Sequence, residues 1–315
     1  MLDRVDVVGA GLIGGSLALR LASLGRSVRV VDPDPETRAR ARAAGLVVAD
    51  DVAPEADLVV IATPLDTLAE TMAHVAASAS AAIVIDVGSV KQPAARAAAS
   101  AGLGGRHVGA HPMAGTEHTG FEHADAELLV GATWAVARGG GSEETSRVVD
   151  WLTTDLEATV VLLGAAEHDR AVALVSHAPH ALAHALLATA EAAAQPTVAG
   201  LLAAGSFRDG TRVAGRNAAR TFNMLSENAG ALGPVLDEVI AELAALRADL
   251  ANPEALRARL DRAAATDDVV RRPDPDFAAC SSLTDAVEAA VRESQAVVVR
   301  RRGGALEVAR VPAIS

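Results

Sequence analysis

Cysteine is almost missing from this chain of 315 residues: Cys280 stands alone. That excludes an intrachain disulfide and a thiolate-held metal cluster. Tyrosine is absent, and the other aromatics are four Phe and two Trp. Positive charge is also short. Lys and Arg number 28 against 40 Asp and Glu, a formal net charge of −12. Such a surface argues against a nucleic-acid partner held through phosphate contacts. It also means that an anionic substrate would need its counter-charge from single Arg or His residues inside a pocket. No window reaches roughly eighteen uninterrupted apolar residues, and the first residues lack the basic end and cleavage site of a signal peptide. The expectation is a cytoplasmic protein with no membrane partner. Half the residues are hydrophobic and 22% are charged, so a packed core is available, and the length suits one large domain or two ordinary ones.

The strongest local signal lies at the start. Residues 4–8 read as a buried strand, Gly9-Ala10-Gly11-Leu12-Ile13-Gly14-Gly15-Ser16 follows, and a helical run continues to Leu24. A second strand, residues 27–31, closes on Asp32. Strand, glycine motif, helix, strand and acid in that order open a Rossmann fold. Gly9 makes the tight turn, Gly11 lets the backbone approach a pyrophosphate, and Gly14 lets helix and strand pack closely. The helix N-terminus at Leu12 and Ile13 is where the phosphate sits. Asp32 lies eighteen residues beyond Gly14. Its carboxylate can accept hydrogen bonds from ribose hydroxyls and would repel a 2′-phosphate, which favours NAD over NADP.

The alternation continues with helices over 35–44, 65–77 and 142–153 and strands over 57–62, 82–87, 107–110, 133–136 and 160–162. The strands are continuous apolar runs, as expected when both sheet faces are covered. Function should cluster at their C-terminal ends. Thr63 and Pro64 stand at one such end as candidate cofactor contacts. Ser89 stands at the next, free to orient a ligand or to cap the helix beginning near Gln92. Lys91 is a solvated charge near a helix start, a poor place for a cation unless an anion is close. His111, at a strand end before Pro112, is a candidate acid or base, or an ordinary loop histidine. His107, His118 and His123 match no metal spacing, and no metal is expected. The first domain spans 1–164.

Past that boundary the period changes. Residues 167–194 read as one long helix that Pro179 should bend, with His177, His180 and His184 along one side. Arg212, with Arg208 before it, either clamps a carboxylate through two parallel hydrogen bonds or forms a surface ion pair. Helices over 234–246 and 253–264 complete an all-helical domain, 165–266, whose apolar stripe calls for a partner, so a homodimer is expected. Residues 267–315 read as a linker, a short helix over 282–290 and a β-hairpin turning at Arg302-Gly303-Gly304. This tail is too short for a full ligand-sensing domain and suits covering a core edge or touching a partner subunit.

Taken together these segments resemble the prephenate dehydrogenase family of tyrosine biosynthesis. The likeness is carried by the glycine motif, Asp86-Val87-Gly88-Ser89-Val90-Lys91, His111-Pro112-Met113-Ala114-Gly115-Thr116-Glu117, Ser176-His177-Ala178-Pro179-His180 and the stretch Phe207 to Ala214, over roughly residues 4–250. The resemblance implies NAD-dependent oxidative decarboxylation of prephenate to 4-hydroxyphenylpyruvate. It makes His111 the base for the ring hydroxyl and Ser89 the residue that orients that hydroxyl and touches cofactor or substrate. It assigns Arg212 to a substrate carboxylate, His180 to the substrate pocket and His177 to the pocket wall or packing. Glu117 leans the choice toward prephenate over arogenate. Positions where family members carry a proline and a tryptophan hold Ala218 and Thr221 here.

The alternatives are an arogenate dehydrogenase, another two-domain hydroxyacid or imine dehydrogenase, and a non-enzymatic NAD-binding regulatory protein. The hydroxyacid or imine dehydrogenase would need neither His111 nor the Ser-His-x-Pro-His motif. The regulatory protein would be favoured by loss of Ser89, His111 or Arg212, and all three are present.

Overall fold

The computed structural model describes residues 2–116, 118–214, 218–266 and 275–311. Glu117 and most of the linker therefore lie outside the described residues.

Two apolar strands set the frame. β1 (Arg4–Val8) and β4 (Leu58–Ile61) run parallel, with Val5 beside Leu58 and Val8 beside Ile61. Before β4 the chain turns the other way, through α1 (Leu12–Ser23), β2 (Ser27–Val31), α2 (Pro35–Ala43) and β3 (Val47–Ala49). After β4 it continues through α3 (Leu68–Ser78), β5 (Ile83–Asp86), α4 (Gln92–Ser100) and β6 (His107–Pro112). The order β3-β2-β1-β4-β5-β6 therefore reverses between β1 and β4. That crevice is where a doubly wound sheet binds its ligand. All four residues of β4 and of β5 are buried, because apolar layers cover both faces.

The sheet does not stop there. β7 (Thr133–Arg138) joins β6 antiparallel, and β8 (Thr159–Gly164) joins β7 parallel after α5 (Ser142–Asp155). The helical part then begins directly with α6 (Ala165–Val172), a π-turn over Ala173–His177 and α7 (Ala178–Glu191). The expected long helix thus runs unbroken from Ala165 to Glu191, with a π-turn inside it. Pro179 cannot donate a backbone hydrogen bond, and the wider turn lies just before it. By length and composition alone, Ala165–Glu191 could cross a membrane, with a mean hydropathy of 1.3. In this fold its polar members His168, Asp169 and His177 are buried against protein partners. The rest of the domain is α8 (Pro196–Leu202), α9 (Gly205–Thr211), α10 (Ala218–Glu227), α11 (Ala229–Asp249) and α12 (Pro253–Ala265).

The tail returns to the first domain. β9 (Ala278–Ala279), α13 (Leu283–Glu293), β10 (Val297–Arg302) and β11 (Ala305–Arg310) extend the sheet to eleven strands in the order β8-β10-β11-β9. β10 pairs antiparallel with β8, Val298 opposite Val161. Gly303 and Gly304, at φ +58° and +81°, make the two-residue turn that the sequence announces. Of the two roles open to the tail, covering an edge is the one this fold displays.

Candidate active site

A cavity of about 920 Å³ lies over the crevice between β1 and β4. Gly9, Gly11, Leu12, Ile13, Asp32, Thr63, Pro64, Ser89 and His111 all line it. Gly9 turns at φ +91°, and a Cβ there would lie 2.8 Å from the Ala62 carbonyl oxygen. A Cβ on Gly14 would lie 1.9 Å from the Gly9 oxygen, so Gly14 keeps α1 against the loop instead of facing the cavity. Gly11 differs: a Cβ there would meet nothing within 4 Å. Its bare backbone opens onto the cavity where α1 begins without a side-chain cap. Such a helix end, with free amides and a positive dipole, suits a phosphate. Asp32 accepts from the amides of Ala10 (2.7 Å) and Asp34 (2.9 Å), which fix its carboxylate at the rim of the same space. These features fit a dinucleotide.

Beneath the floor runs a network of buried polar groups. Asp86, at the end of β5, accepts hydrogen bonds from the Lys91 ammonium, from His107 Nε2 at 2.9 Å and from the Gly88 amide at 3.0 Å. Burial opposes its ionisation, but Lys91 and His107 hold it at about 2. Lys91 also donates to the carbonyl of Ala110 at 2.7 Å, next to His111. Gly109 leaves space for its stem, since a Cβ there would sit 3.1 Å from Lys91 Cδ. Lys91 is therefore buried, in contrast to the solvated charge expected from sequence. The anion that makes its position tolerable is Asp86. The network ties the Ser89 loop to the end of β6 that carries His111.

The helix after that loop is capped from outside. Asp169, on α6, accepts from the amides of Lys91 (2.7 Å) and Gln92 (2.9 Å) at the start of α4. That role was open to Ser89, which instead lines the cavity. The Asp169 carboxylate also meets His168 Nδ1 at 2.8 Å, and His168 Nε2 lies 3.0 Å from His111 Nδ1. Burial works against the Asp169 charge, yet His168 and the two amides keep its carboxyl below the usual range. His111 is pushed the other way. Burial first, then the Lys91 ammonium and His168, hold its imidazolium well below 6.5. With Nδ1 engaged below, Nε2 is the nitrogen of His111 left for the cavity.

His177 and His180 divide as packing and surface groups. His177 is buried, accepts from Asn228 Nδ2 at 2.9 Å and is pushed down to about 4 by burial and by His180. Asn228 also donates to the Asp169 carbonyl at 2.8 Å, binding α11 to α6. His180 is half-buried, its Nδ1 donating to the Ser176 carbonyl at 3.0 Å, and it stands outside the cavity lining. Arg212 also lies outside that lining, exposed at the end of α9, its side chain without an ion pair among the described residues. The helical domain does reach the cavity, through Ala219 and Asn223 of α10.

Sequence reading did not single out His168, Asp169 or Asn228; it met Asp86 only inside a family segment and His107 only as a histidine off any metal spacing, and gave neither a role. The available signal was the polar cluster Glu167-His168-Asp169-Arg170 that opens an otherwise largely apolar helical run.

Comparison with known proteins follows the same lines. Residues 16–162 match the family model described as prephenate dehydrogenase, nucleotide-binding domain, and residues 164–260 the one described as prephenate dehydrogenase, dimerization domain. A cyclohexadienyl dehydrogenase of Zymomonas mobilis is 31% identical over 267 residues, covering 81% of this chain and 90% of the relative. A solved prephenate dehydrogenase from A. aeolicus, in complex with hydroxyphenyl propionate and NAD+, is 26% identical. It has a TM-score of 0.78 and covers 86% of this chain and 99% of its own. A solved Synechocystis arogenate dehydrogenase is 29% identical, with a TM-score of 0.71 over 85% of this chain and 99% of that one.

Proposed function

The chain belongs to the prephenate dehydrogenase family, and on that premise we propose that it is a cytoplasmic, NAD-dependent enzyme that oxidatively decarboxylates prephenate to 4-hydroxyphenylpyruvate. The observation that carries the reading is His111: a ring nitrogen at the floor of the cofactor cavity, beside Ser89, on an imidazole held neutral. NAD is supported by the free helix N-terminus at Gly11, by the Asp32 carboxylate and by the NAD+ of the A. aeolicus relative.

The nicotinamide supplies the hydride acceptor. The chain does the rest. Its glycine loop and Asp32 hold the dinucleotide so that the far end of the cavity, at Ser89 and His111, meets the ring. Ser89 orients the ring hydroxyl. His111 Nε2 takes the hydroxyl proton as hydride departs from the carbon that bears the hydroxyl; the ring carboxylate then leaves as carbon dioxide, its bonding pair makes the ring aromatic, and the proton returns to the ring oxygen. A neutral imidazole is a suitable base near neutral pH. Arg212 pairs with a substrate carboxylate, and His180 completes the substrate pocket. Both lie outside the single-chain cavity, so their part depends on how the helical domain assembles. The dimerization-domain match supports a homodimer as that assembly.

Substitution separates the roles. His111→Asn should lower kcat by about 100- to 10,000-fold, the range of a lost general base, with cofactor affinity nearly intact. Arg212→Ala should instead raise the substrate KM and spare cofactor binding. Equal losses of turnover and cofactor affinity in His111→Asn would make His111 structural. Arogenate, with an amino group where prephenate has a keto group, is the second reading, favoured by the likeness to the Synechocystis enzyme.

A further inference from the structure

Behind His111 lies a line of two groups that the reaction as written does not use. It runs from His111 Nδ1 to His168 Nε2 at 3.0 Å, and from His168 Nδ1 to Asp169 Oδ1 at 2.8 Å. His168 and Asp169 are both about 1% exposed, so bulk water does not compete for these contacts. Asp169 is further fixed by the amides of Lys91 and Gln92 and, at its carbonyl, by Asn228. The two imidazoles meet edge to face, 5.2 Å between centroids at 67°. That is the attitude of a ring N–H aimed at a lone pair, not of stacked rings.

We propose that His168 and Asp169 are positioning residues that fix the tautomer of His111 and so make its Nε2 a base. The inference rests on the assignment of His111 in the proposed function. A carboxylate can only accept, so His168 Nδ1 carries the proton and donates to Asp169. In neutral His168, Nε2 is then the lone pair. His111 Nδ1 must therefore carry the proton and donate to it. The remaining nitrogen of His111, Nε2, is left unprotonated toward the cavity. Reverse the first hydrogen bond and every later one reverses, ending with a proton on Nε2 and no base. When Nε2 accepts the substrate proton, the new imidazolium still donates from Nδ1 to His168, whose polarisation is anchored by the Asp169 charge. No proton needs to move along the line. α6 follows β8 directly and carries both residues to the ends of β6 and α4.

Asp169→Asn is the direct test. An asparagine amide can keep one backbone contact while its NH₂ faces His168 Nδ1, which turns the ring tautomers over. Nitrogen-15 NMR of histidine-labelled protein, with NAD present and no substrate, reads the tautomer of His111. The wild type should carry the Nδ1 proton and Asp169→Asn the Nε2 proton. In steady-state kinetics kcat should fall by about 100- to 10,000-fold, from the smallest usual worth of a general base to the loss seen when a buried carboxylate behind a catalytic histidine is amidated, with KM for cofactor and substrate within about threefold. His168→Gln keeps an acceptor for His111 but severs the link to Asp169, so it should lose activity yet less than Asp169→Asn. It decides the matter if Asp169→Asn does not fold. A wild-type His111 protonated on Nε2 would overturn the proposal, as would full activity in either variant. Because the NMR arm uses no ring substrate, it stands or falls independently of the assigned reaction.

Discussion

Gly9, Gly11 and Gly14 share one motif but answer to different constraints. At Gly14 a methyl group would collide with the Gly9 carbonyl, and at Gly11 it would enter open space. Gly14→Ala should therefore cost about 3 kcal/mol of stability through overpacking, visible as a lowered Tm without any ligand. Gly11→Ala should leave Tm nearly unchanged and weaken NAD binding by about tenfold or more, as a methyl group takes the place of the pyrophosphate. Isothermal titration beside thermal unfolding separates the two. His111 yields a prediction in pH. Only neutral imidazole can accept the proton, and burial beside Lys91 holds its conjugate acid well below 6.5. The acidic limb of kcat/KM should therefore lie well below that value. A limb at or above 6.5 would contradict the placement of His111. The sign for stability follows the same logic at His177, pushed from 6.5 to about 4. Between those values the unfolded chain takes up a proton that the folded one refuses. Stability is thus fully present above pH 6.5 and declines as pH falls through that window.

Among the elements, those with a strong local code were legible. β1, α1 and β2 have boundaries close to those read from residues 4–31, because buried strands and a glycine-bounded helix are specified by neighbours in sequence. β3 was missed. Val47 to Ala49 is too short to show a period, and it becomes a strand only by pairing with β2. The Asp86–Lys91–His107 network and the Asp169–His168–His111 line were also illegible. Each pairs near neighbours with a group far off in sequence, His107 in the first and His111 in the second, and nothing local marks that distant partner. The tail was read as a hairpin, but its destination was not. Val297, Val298 and Val299 of β10 and Val287 of α13 are buried against the first domain. Arg138 fastens them by donating to the carbonyls of Ala290 (2.9 Å) and Gln295 (2.6 Å). Each such valine contributes on the order of 1.5–3 kcal/mol when fully buried. Ending the chain before residue 275 should lower Tm markedly and promote aggregation through the bared edge of β8, measured by thermal unfolding and light scattering. A truncated chain as stable as the whole would show that the tail is an accessory.

At the scale of the whole molecule, the two domains divide the labour. The sheet supplies the dinucleotide crevice, Ser89 and His111. The helical domain supplies Asp169 and His168 from below and, through α10, part of the cavity wall. Its outer helices leave Leu201 at 82%, Leu202 at 78% and Phe222 at 69% exposure. Apolar groups so open are what a second copy would cover, in keeping with the family's dimerization domain. Arg212 lies in this same region, which links the proposed carboxylate clamp to the proposed dimer. It also answers the charge problem posed by the sequence: in a chain of net charge −12, a substrate anion needs a local cation. The most direct test of the account is cofactor reduction by the purified full chain with prephenate or arogenate, using NAD and NADP in parallel. Turnover should be fastest with NAD and prephenate, releasing carbon dioxide and 4-hydroxyphenylpyruvate in step with NADH. Absence of cofactor reduction with both ring substrates would contradict it.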